Sequence, residues 1–135
     1  MKEIYRLLRH VYKSFVREYV ANNIIAHIPF ISVRMWFYRR ILGVNVSTNS
    51  NIQMKCYLYN SSEKLEIGAN TIINRGCTLD RRGGLIIGDN VSIGPNVSIF
   101  TAGHDIQSSD FCNQLATVTI SRYASIGSNA SIMPG

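Results

Sequence analysis

Aliphatic residues recur every six positions through much of the chain, separated by small and polar residues. The spacing is seen in three sets, Ile67, Ile73 and Leu79; Ile87, Ile93 and Ile99; and Ile120, Ile126 and Ile132. A six-residue period fits neither an amphipathic helix, which needs apolar residues three and four apart, nor a simple alternating strand. It predicts short strands joined by corners, with one aliphatic side chain per strand stacked inside. Val46, Ile52 and Leu58 extend the series toward the N-terminus.

The motif Ile-Gly-x-Asn marks the predicted corners and occurs four times, beginning at Ile67, Ile87, Ile93 and Ile126. Gly allows a close backbone approach or a positive φ, and Asn adopts the left-handed region more readily than most residues. Three strands per coil would form a triangular prism in which each coil buries its neighbours. The sequence therefore predicts an all-β solenoid over residues 43–135.

Two insertions interrupt the six-residue spacing. The first contains Arg81-Arg82-Gly83-Gly84, which we expect to form a short protruding turn. The second, between Ile99 and Ile120, predicts a long loop over residues 101–117. This loop contains Gly103-His104-Asp105, with the only histidine beyond the N-terminal segment. Because loops on a rigid scaffold often carry function, we expect the site there.

Residues 1–42 form a separate segment that the pattern predicts to be helical and amphipathic, with Pro29 as an interruption and a second helix over residues 31–42. Two interpretations stay open. The helices either cap the first coil or pack on a neighbouring subunit, or they dock on an anionic membrane surface. No apolar run is long enough to span a bilayer, and basic residues interrupt what would be the apolar core of a signal peptide.

Charge is unevenly distributed along this chain of 135 residues, which is long enough for one modest core. Residues 1–42 carry a net charge of +6, whereas residues 43–135 carry none. No helix-turn-helix or zinc-finger pattern accompanies the basic segment, so nucleic acid is not an expected partner. Cys56, Cys77 and Cys112 are odd in number and lack metal-type spacing, which favours reduced thiols in a cytoplasmic protein.

The stretch from Ile87 to His104, I-G-D-N-V-S-I-G-P-N-V-S-I-F-T-A-G-H, resembles the hexapeptide-repeat acyltransferases. Within them it looks most like the maltose and galactoside O-acetyltransferases and related polysaccharide O-acetyltransferases. The resemblance implies a left-handed parallel β-helix, which is an exception to the usual right-handed crossover. It also implies a homotrimer with active sites between subunits, acetyl-CoA as co-substrate and a sugar acceptor.

The resemblance implies that His104 is the catalytic base, which would take the proton of a sugar hydroxyl as its oxygen attacks the thioester. Transfer would be direct, with both substrates bound together. Asn74 aligns with an asparagine that contacts the acceptor, although a corner role is equally open. Asp80 would bind acceptor hydroxyls or be a solvated corner carboxylate. Asp105 would orient the imidazole or cap the loop.

On the donor side, Gly127 and Ser128 match a segment that borders the pantetheine arm of CoA in the family. Three departures accompany the resemblance. Arg81 and Arg82 stand where the galactoside branch has acidic residues, so a different acceptor is expected. Ser125 replaces an aromatic residue of the donor channel. The family continues past residues 133–135 with further coils, so we expect the β-helix to be incomplete at its C-terminal side and to hold only part of the donor groove.

The sequence is compatible with three functions. The leading hypothesis is an acetyl-CoA-dependent O-acetyltransferase acting on a sugar or surface-polysaccharide precursor, in the cytoplasm or at the inner membrane face. A second is a truncated, catalytically incompetent solenoid that only trimerises or binds a partner. A third is a metal-dependent enzyme of the carbonic-anhydrase kind, which needs several histidines around zinc. His10 and His27 lie in the helical segment, so no metal site is expected.

Overall fold

A computed structural model of the protein describes residues 1–59 and 63–135. The chain begins with helix α1 (Lys2–Ser14), which continues through π-helical turns (Phe15–Ile24) and a short 3-10 turn (Ile25–His27). After Pro29, helix α2 covers Ile31–Arg40. The prediction of two N-terminal helices is confirmed, with α2 two residues shorter than expected. No helix in the described ranges is both long and apolar enough to cross a bilayer.

Short strands follow over the rest of the chain. Twelve of them form four coils of three strands each: β1 (Asn45–Val46), β2 (Asn51–Ile52) and β3 (Tyr57–Leu58); β4 (Leu65–Ile67), β5 (Ile72–Ile73) and β6 (Thr78–Leu79); β7 (Leu85–Ile87), β8 (Ser92–Ile93) and β9 (Ser98–Ile99); β12 (Val118–Ile120), β13 (Ser125–Ile126) and β14 (Ser131–Ile132). Strands β10 (Ala102–His104) and β11 (Asn113–Leu115) form an antiparallel hairpin between the third and fourth coils.

The coils stack into three parallel sheets, one for each side of a prism. Their strand orders are β1-β4-β7-β12, β2-β5-β8-β13 and β3-β6-β9-β14. This is a left-handed parallel β-helix with N-terminal helices and one long loop, so the predicted fold class is confirmed.

Aliphatic side chains stack in register inside the prism. In the second sheet Ile52 pairs with Ile73 and Ile73 with Ile93, and all three are fully buried. In the third sheet Leu79 and Ile99 are likewise fully buried neighbours. Burying one such side chain contributes about 1.5–3 kcal/mol relative to leaving it exposed. The six-residue spacing therefore places the main stabilising contacts between coils.

The corners use Gly and Asn in different ways. Asn adopts the left-handed conformation at five of the corners, at Asn49, Asn70, Asn90, Asn96 and Asn129. The Gly of the motif instead permits a close approach between coils. A Cβ on Gly88 would lie 2.7 Å from the backbone N of Arg122, and one on Gly94 would lie 2.7 Å from the backbone N of Ser128. The Asn and the Gly of the motif thus meet separate requirements.

Side chains from the helical segment cover the strand edges of the first coil. Asn22 donates to the carbonyl of Leu58 at 3.0 Å and accepts from its N–H at 2.9 Å. Arg34 donates to the carbonyl of Ile52 at 3.3 Å, and Arg39 to that of Val46 at 3.2 Å. Each sheet thus receives one polar side chain at its first strand, which satisfies edge groups that would otherwise be open. We refer to Asn22, Arg34 and Arg39 as the edge cap.

Candidate functional site

His104 lies at the end of β10, on the hairpin that leaves the prism after β9. Its strand pairs with β11, and His104 lies opposite Asn113. The imidazole is solvent-exposed and stacks on the ring of Phe111, with centroids 4.8 Å apart and an interplanar angle of 8°. Phe111 has a positive φ of 51° in the loop that joins the two strands. With this backbone conformation, both the ring and the carbonyl oxygen of Phe111 contact His104.

The hydrogen bond between His104 Nδ1 and the Phe111 carbonyl oxygen, 3.1 Å long, determines the tautomer of the neutral ring. A carbonyl oxygen can only accept, so Nδ1 must carry the proton and donate. The other nitrogen, Nε2, then carries the lone pair. An exposed imidazole held in this way can accept a proton at Nε2.

A cavity of about 290 Å³ lies beside the imidazole. It lies between the hairpin and the last coil, since a Cβ on Gly103 would approach the Pro134 side chain at 3.5 Å. The residues lining the cavity are Arg82, Phe100, Ala102, Gly103, His104, Asn113 and Met133. Its polar side chains come from three places: His104 from β10, Asn113 from β11 and Arg82 from the turn after β6. The cavity therefore combines a base with a cation and an amide.

Asp80, directly after β6, anchors the start of the hairpin. The carboxylate is fully buried and accepts from the backbone N–H groups of Thr101 and Ala102, both at 3.1 Å through Oδ2. It also pairs with Arg82, whose Nε and Nη2 donate to its two oxygens at 2.9 Å. The Arg82 guanidinium in turn lies over the Tyr59 ring, 4.4 Å from the centroid. Asp80 therefore connects the prism, the cavity cation and the hairpin.

The electrostatics of Asp80 follow from this bonding. Burial favours a higher pKa, but the hydrogen bonds from Arg82 and Thr101, together with the Arg82 charge, outweigh it, so the pKa of Asp80 lies below its ordinary value. The same pairing raises the pKa of Arg82. Asp80 is thus a carboxylate held ionised in the interior.

This placement corrects both expectations for Asp80. It is not a solvated corner carboxylate, because no part of its side chain is exposed. It is also not placed to bind acceptor hydroxyls directly, because both of its oxygens already accept hydrogen bonds from Arg82 and from the hairpin backbone. The side chain that reaches the cavity from this turn is that of Arg82.

The turn that contains Arg81 and Gly83 differs from the protruding turn expected from the sequence. Arg81 is buried and donates to the carbonyl of Leu42 at 3.0 Å. Gly83 lies beneath the hairpin stem, where its N–H donates to Thr101 Oγ1 at 2.8 Å. A Cβ at this position would lie 2.4 Å from the Thr101 carbonyl oxygen and 3.0 Å from the backbone N of Ala116. The turn therefore supports the hairpin instead of extending into solvent.

Asp105 follows His104 and caps the loop. Its Oδ1 accepts from the backbone N–H of Gln107 at 2.9 Å, and its own N–H donates to the Cys112 carbonyl at 3.0 Å. Of the two roles left open by the sequence, the geometry matches the loop cap. The imidazole is oriented instead by Phe111, which the sequence analysis did not single out. An aromatic residue seven positions after the histidine was the available signal.

Asn74 lies after β5 and outside the lining of the cavity. Its side-chain amide donates to the carbonyl of Ile93 in the next coil at 2.7 Å. Gly127 and Ser128 are exposed at the corner between β13 and β14, also outside that lining. A single chain thus gathers His104 and Arg82 around one cavity but does not bring these three residues to it.

The His, Cys, Asp and Glu side chains are the candidates for metal ligation. In the described part of the chain, no three His, Cys, Asp or Glu side chains lie close enough together to hold a metal ion. The three cysteines are free thiols, of which Cys56 and Cys77 are buried in the prism and Cys112 is exposed in the loop.

Comparison with known proteins adds two relatives. The chain is 30% identical to a Bacillus subtilis (strain 168) protein named "Putative acetyltransferase YvoF", over 68% of the chain and 62% of that protein. It is 40% identical to "Nodulation protein L" of Rhizobium leguminosarum bv. viciae, over 53% of the chain and 39% of that protein. The chain thus spans less than two thirds of either curated relative. No family model and no solved structure matches it. The similarities support an acetyltransferase family without specifying a subfamily.

Proposed function

We propose that the chain carries the catalytic base of an acetyl-CoA-dependent O-acetyltransferase that acts on a sugar or surface-polysaccharide precursor. The observation that carries the proposal is the hydrogen bond from His104 Nδ1 to the Phe111 carbonyl. It leaves Nε2 as the proton acceptor beside a cavity that also contains a cation and an amide. Similarity to a protein named as an acetyltransferase supports the reaction type.

The proposed chemistry is a direct acetyl transfer. Nε2 of His104 takes the proton of an acceptor hydroxyl while the hydroxyl oxygen attacks the thioester carbonyl carbon. The tetrahedral intermediate collapses with cleavage of the carbon–sulfur bond. The imidazolium then gives its proton to the departing sulfur, so that CoA leaves as the thiol and the acetyl ester remains on the acceptor. The base is regenerated in each cycle, and no acyl-enzyme is needed.

The other polar side chains that line the cavity carry hydrogen-bond donors, and these suggest their roles. Asn113 offers two amide N–H groups and Arg82 a guanidinium, and both line the cavity with His104. We assign them to the acceptor hydroxyls or to the oxyanion of the intermediate, for which fixed donors are most effective. Asp80 does not touch the acceptor in this scheme. It is a positioning residue that acts through Arg82 and through the Thr101 and Ala102 amides.

We assign the residues outside the cavity to a site shared with a neighbouring subunit. In a homotrimer with sites between protomers, Asn74 would meet the acceptor bound at the histidine of another protomer. Gly127 and Ser128, at an exposed corner of the last coil, would border the pantetheine arm of acetyl-CoA. The cytoplasm, where acetyl-CoA is available and thiols stay reduced, is the proposed location.

The test is acetyl transfer by the purified chain from acetyl-CoA to a panel of monosaccharides and oligosaccharides, followed by thiol release and product mass. His104→Ala should lower the transfer rate by about a hundred- to ten-thousand-fold, the range for loss of a general acid–base group. Phe111→Ala should lower it less, because the carbonyl that orients Nδ1 is retained. His10→Ala, which removes another exposed histidine, is the matched control and should leave the rate unchanged.

Two outcomes would overturn the proposal. Transfer that is unaffected by His104→Ala would refute the assignment of the base. No transfer by the unaltered chain, combined with a trimeric mass in solution, would instead support a catalytically incompetent solenoid that only trimerises or binds a partner.

A further inference from the structure

Helix α1 is the one helix of the described chain without a buried residue. The edge cap comes from residues 22–39, so the first turns of the helical segment take no part in covering the prism. The apolar side chains of α1 and of the first π-helical residue are more than half exposed: Ile4 is 62%, Leu7 64%, Leu8 60%, Val11 56% and Phe15 53% exposed. This segment therefore presents an apolar surface that the rest of the chain does not cover.

The apolar and basic residues of α1 lie on opposite faces. Ile4, Leu7, Leu8, Val11 and Phe15 follow helical spacing on one side. Lys2, Arg6, Arg9 and Lys13 follow the same spacing on the other side. We call these sets the apolar face and the basic face of α1. Such a separation of a Leu- and Phe-bearing face from a Lys- and Arg-bearing face is typical of helices that lie flat at a membrane surface.

The orientation of α1 relative to the body fits this position. The last residues of α1 approach α2, where Tyr12 and Lys13 line a groove of about 460 Å³ together with Trp36 and Arg40. None of the five residues of the apolar face lines this groove. The apolar face therefore lies outside the place where α1 approaches α2.

We infer that α1 lies in the interface of an anionic lipid bilayer, with its apolar face inserted and the β-helix held on the aqueous side. Charge complementarity favours lipid over a second copy of the chain as the occupant. Residues 1–42 carry a net charge of +6, whereas residues 43–135, which a neighbouring copy would present as a prism, are neutral overall. A surface of anionic lipids attracts such a basic segment, and each Lys or Arg near it adds to the attraction.

The contact is interfacial and does not span the membrane, because no described helix is long and apolar enough to cross one. It would place the acetyl-transfer site near the membrane surface, where a lipid-linked saccharide would be accessible. The inference about α1 does not depend on that activity, since it concerns a different part of the chain.

The experiment is flotation of the full chain with two kinds of vesicle, phosphatidylcholine alone and phosphatidylcholine with about one third phosphatidylglycerol. We expect binding to the anionic vesicles that weakens when added salt shortens the screening length. Changing Lys2, Arg6, Arg9 and Lys13 together to Gln should weaken binding at least about tenfold. The control changes Lys55, Lys64, Arg75 and Arg122 to Gln, which removes the same charge from exposed prism positions and should bind like the unaltered chain.

A second pair of variants tests the apolar face. Leu7→Ser with Leu8→Ser should weaken binding at least about tenfold by reducing the inserted apolar area. Ile72→Ser with Ile106→Ser removes exposed aliphatic side chains elsewhere, at 44% and 81% exposure, and should have no effect. Leu7 and Leu8 are exposed in α1, so circular dichroism is sufficient to check that the Ser variant folds.

Three results would overturn the inference. One is the absence of binding to either vesicle, and another is equal weakening by the prism control. The third is a Leu7→Ser and Leu8→Ser chain that dissociates from a larger oligomer without any change in flotation, which would identify a second copy as the occupant of the apolar face.

Discussion

Asp80→Asn tests whether one buried carboxylate holds the hairpin that presents His104. Oδ1 accepts from the backbone N–H and Nε of Arg82, and Oδ2 accepts from Thr101 N, Ala102 N and Arg82 Nη2. An Asn side chain has one oxygen and one NH₂ group. In either orientation, the NH₂ group therefore faces at least two N–H donors that it cannot satisfy.

The expected loss of stability follows from those unsatisfied donors. Each buried donor left without a partner costs about 1–3 kcal/mol. Arg82 can recover hydration, since its side chain is 42% exposed, and this lowers the total. We expect Asp80→Asn to reduce the free energy of unfolding by about 2–4 kcal/mol, measured by urea denaturation. Amide hydrogen exchange at Thr101 and Ala102 should accelerate, and acetyl transfer should fall.

Asp89→Asn is the matched control, because it removes the same charge from a corner where the carboxylate accepts one exposed backbone bond, from Ala69 N at 2.6 Å. It should cost less than about 1 kcal/mol. If Asp80→Asn matched this control and the exchange at Thr101 were unchanged, the anchoring role of Asp80 would be refuted.

The same variant should also change how the free energy of unfolding depends on pH. The pKa of Asp80 is lowered on folding, so its contribution to stability is complete above the unfolded pKa of about 3.9 and is lost as the pH falls through the lower folded pKa. The unaltered chain should therefore lose stability relative to Asp80→Asn as the medium is acidified below about pH 4. Parallel pH dependences of the two chains would contradict this.

Two further substitutions test the hairpin support and the edge cap. Gly83→Ala should destabilise by about 1–3 kcal/mol and lower acetyl transfer, because the new Cβ would collide with the hairpin stem; Gly127→Ala, which meets no atom within 4 Å, should leave thermal stability unchanged. Asn22→Ala should cost about 2–4 kcal/mol in urea unfolding, because a buried N–H and a buried carbonyl of Leu58 lose their partner. The neighbouring Asn23→Ala removes an exposed bond to Tyr19 within the helix and should be nearly neutral, so equal effects at the two positions would contradict the edge-cap role.

The repeating part of the fold could be predicted from sequence because its determinants are local. A six-residue period fixes which residues point inward, and the stacking of Ile73 on Ile93 repeats that rule in every coil. The left-handed turns at Asn70 and Asn90 follow from the same motif. Each coil satisfies one short pattern, so no long-range information was needed.

The site depends on contacts that no pattern encodes. Asp80 meets Thr101 across 21 positions, and the insertion that contains Arg81 and Gly84 lies between them. Whether a corner carboxylate is solvated or buried depends on where the later hairpin lies over it. Likewise, the tautomer of His104 depends on where the backbone carbonyl oxygen of Phe111 points. The identity of the side chain at position 111 does not determine that direction.

The edge cap has a consequence for self-association. A parallel β-helix is in principle open to polymerisation, because the first coil of one molecule can hydrogen-bond to a coil of another. In this chain Asn22 and Arg34 already occupy the strand atoms that an incoming molecule would need. Displacing them would deprive the buried Arg34 guanidinium of the Ile52 carbonyl, a penalty that a foreign strand would have to overcome. The N-terminal helices thus protect this end of the prism against fibre growth.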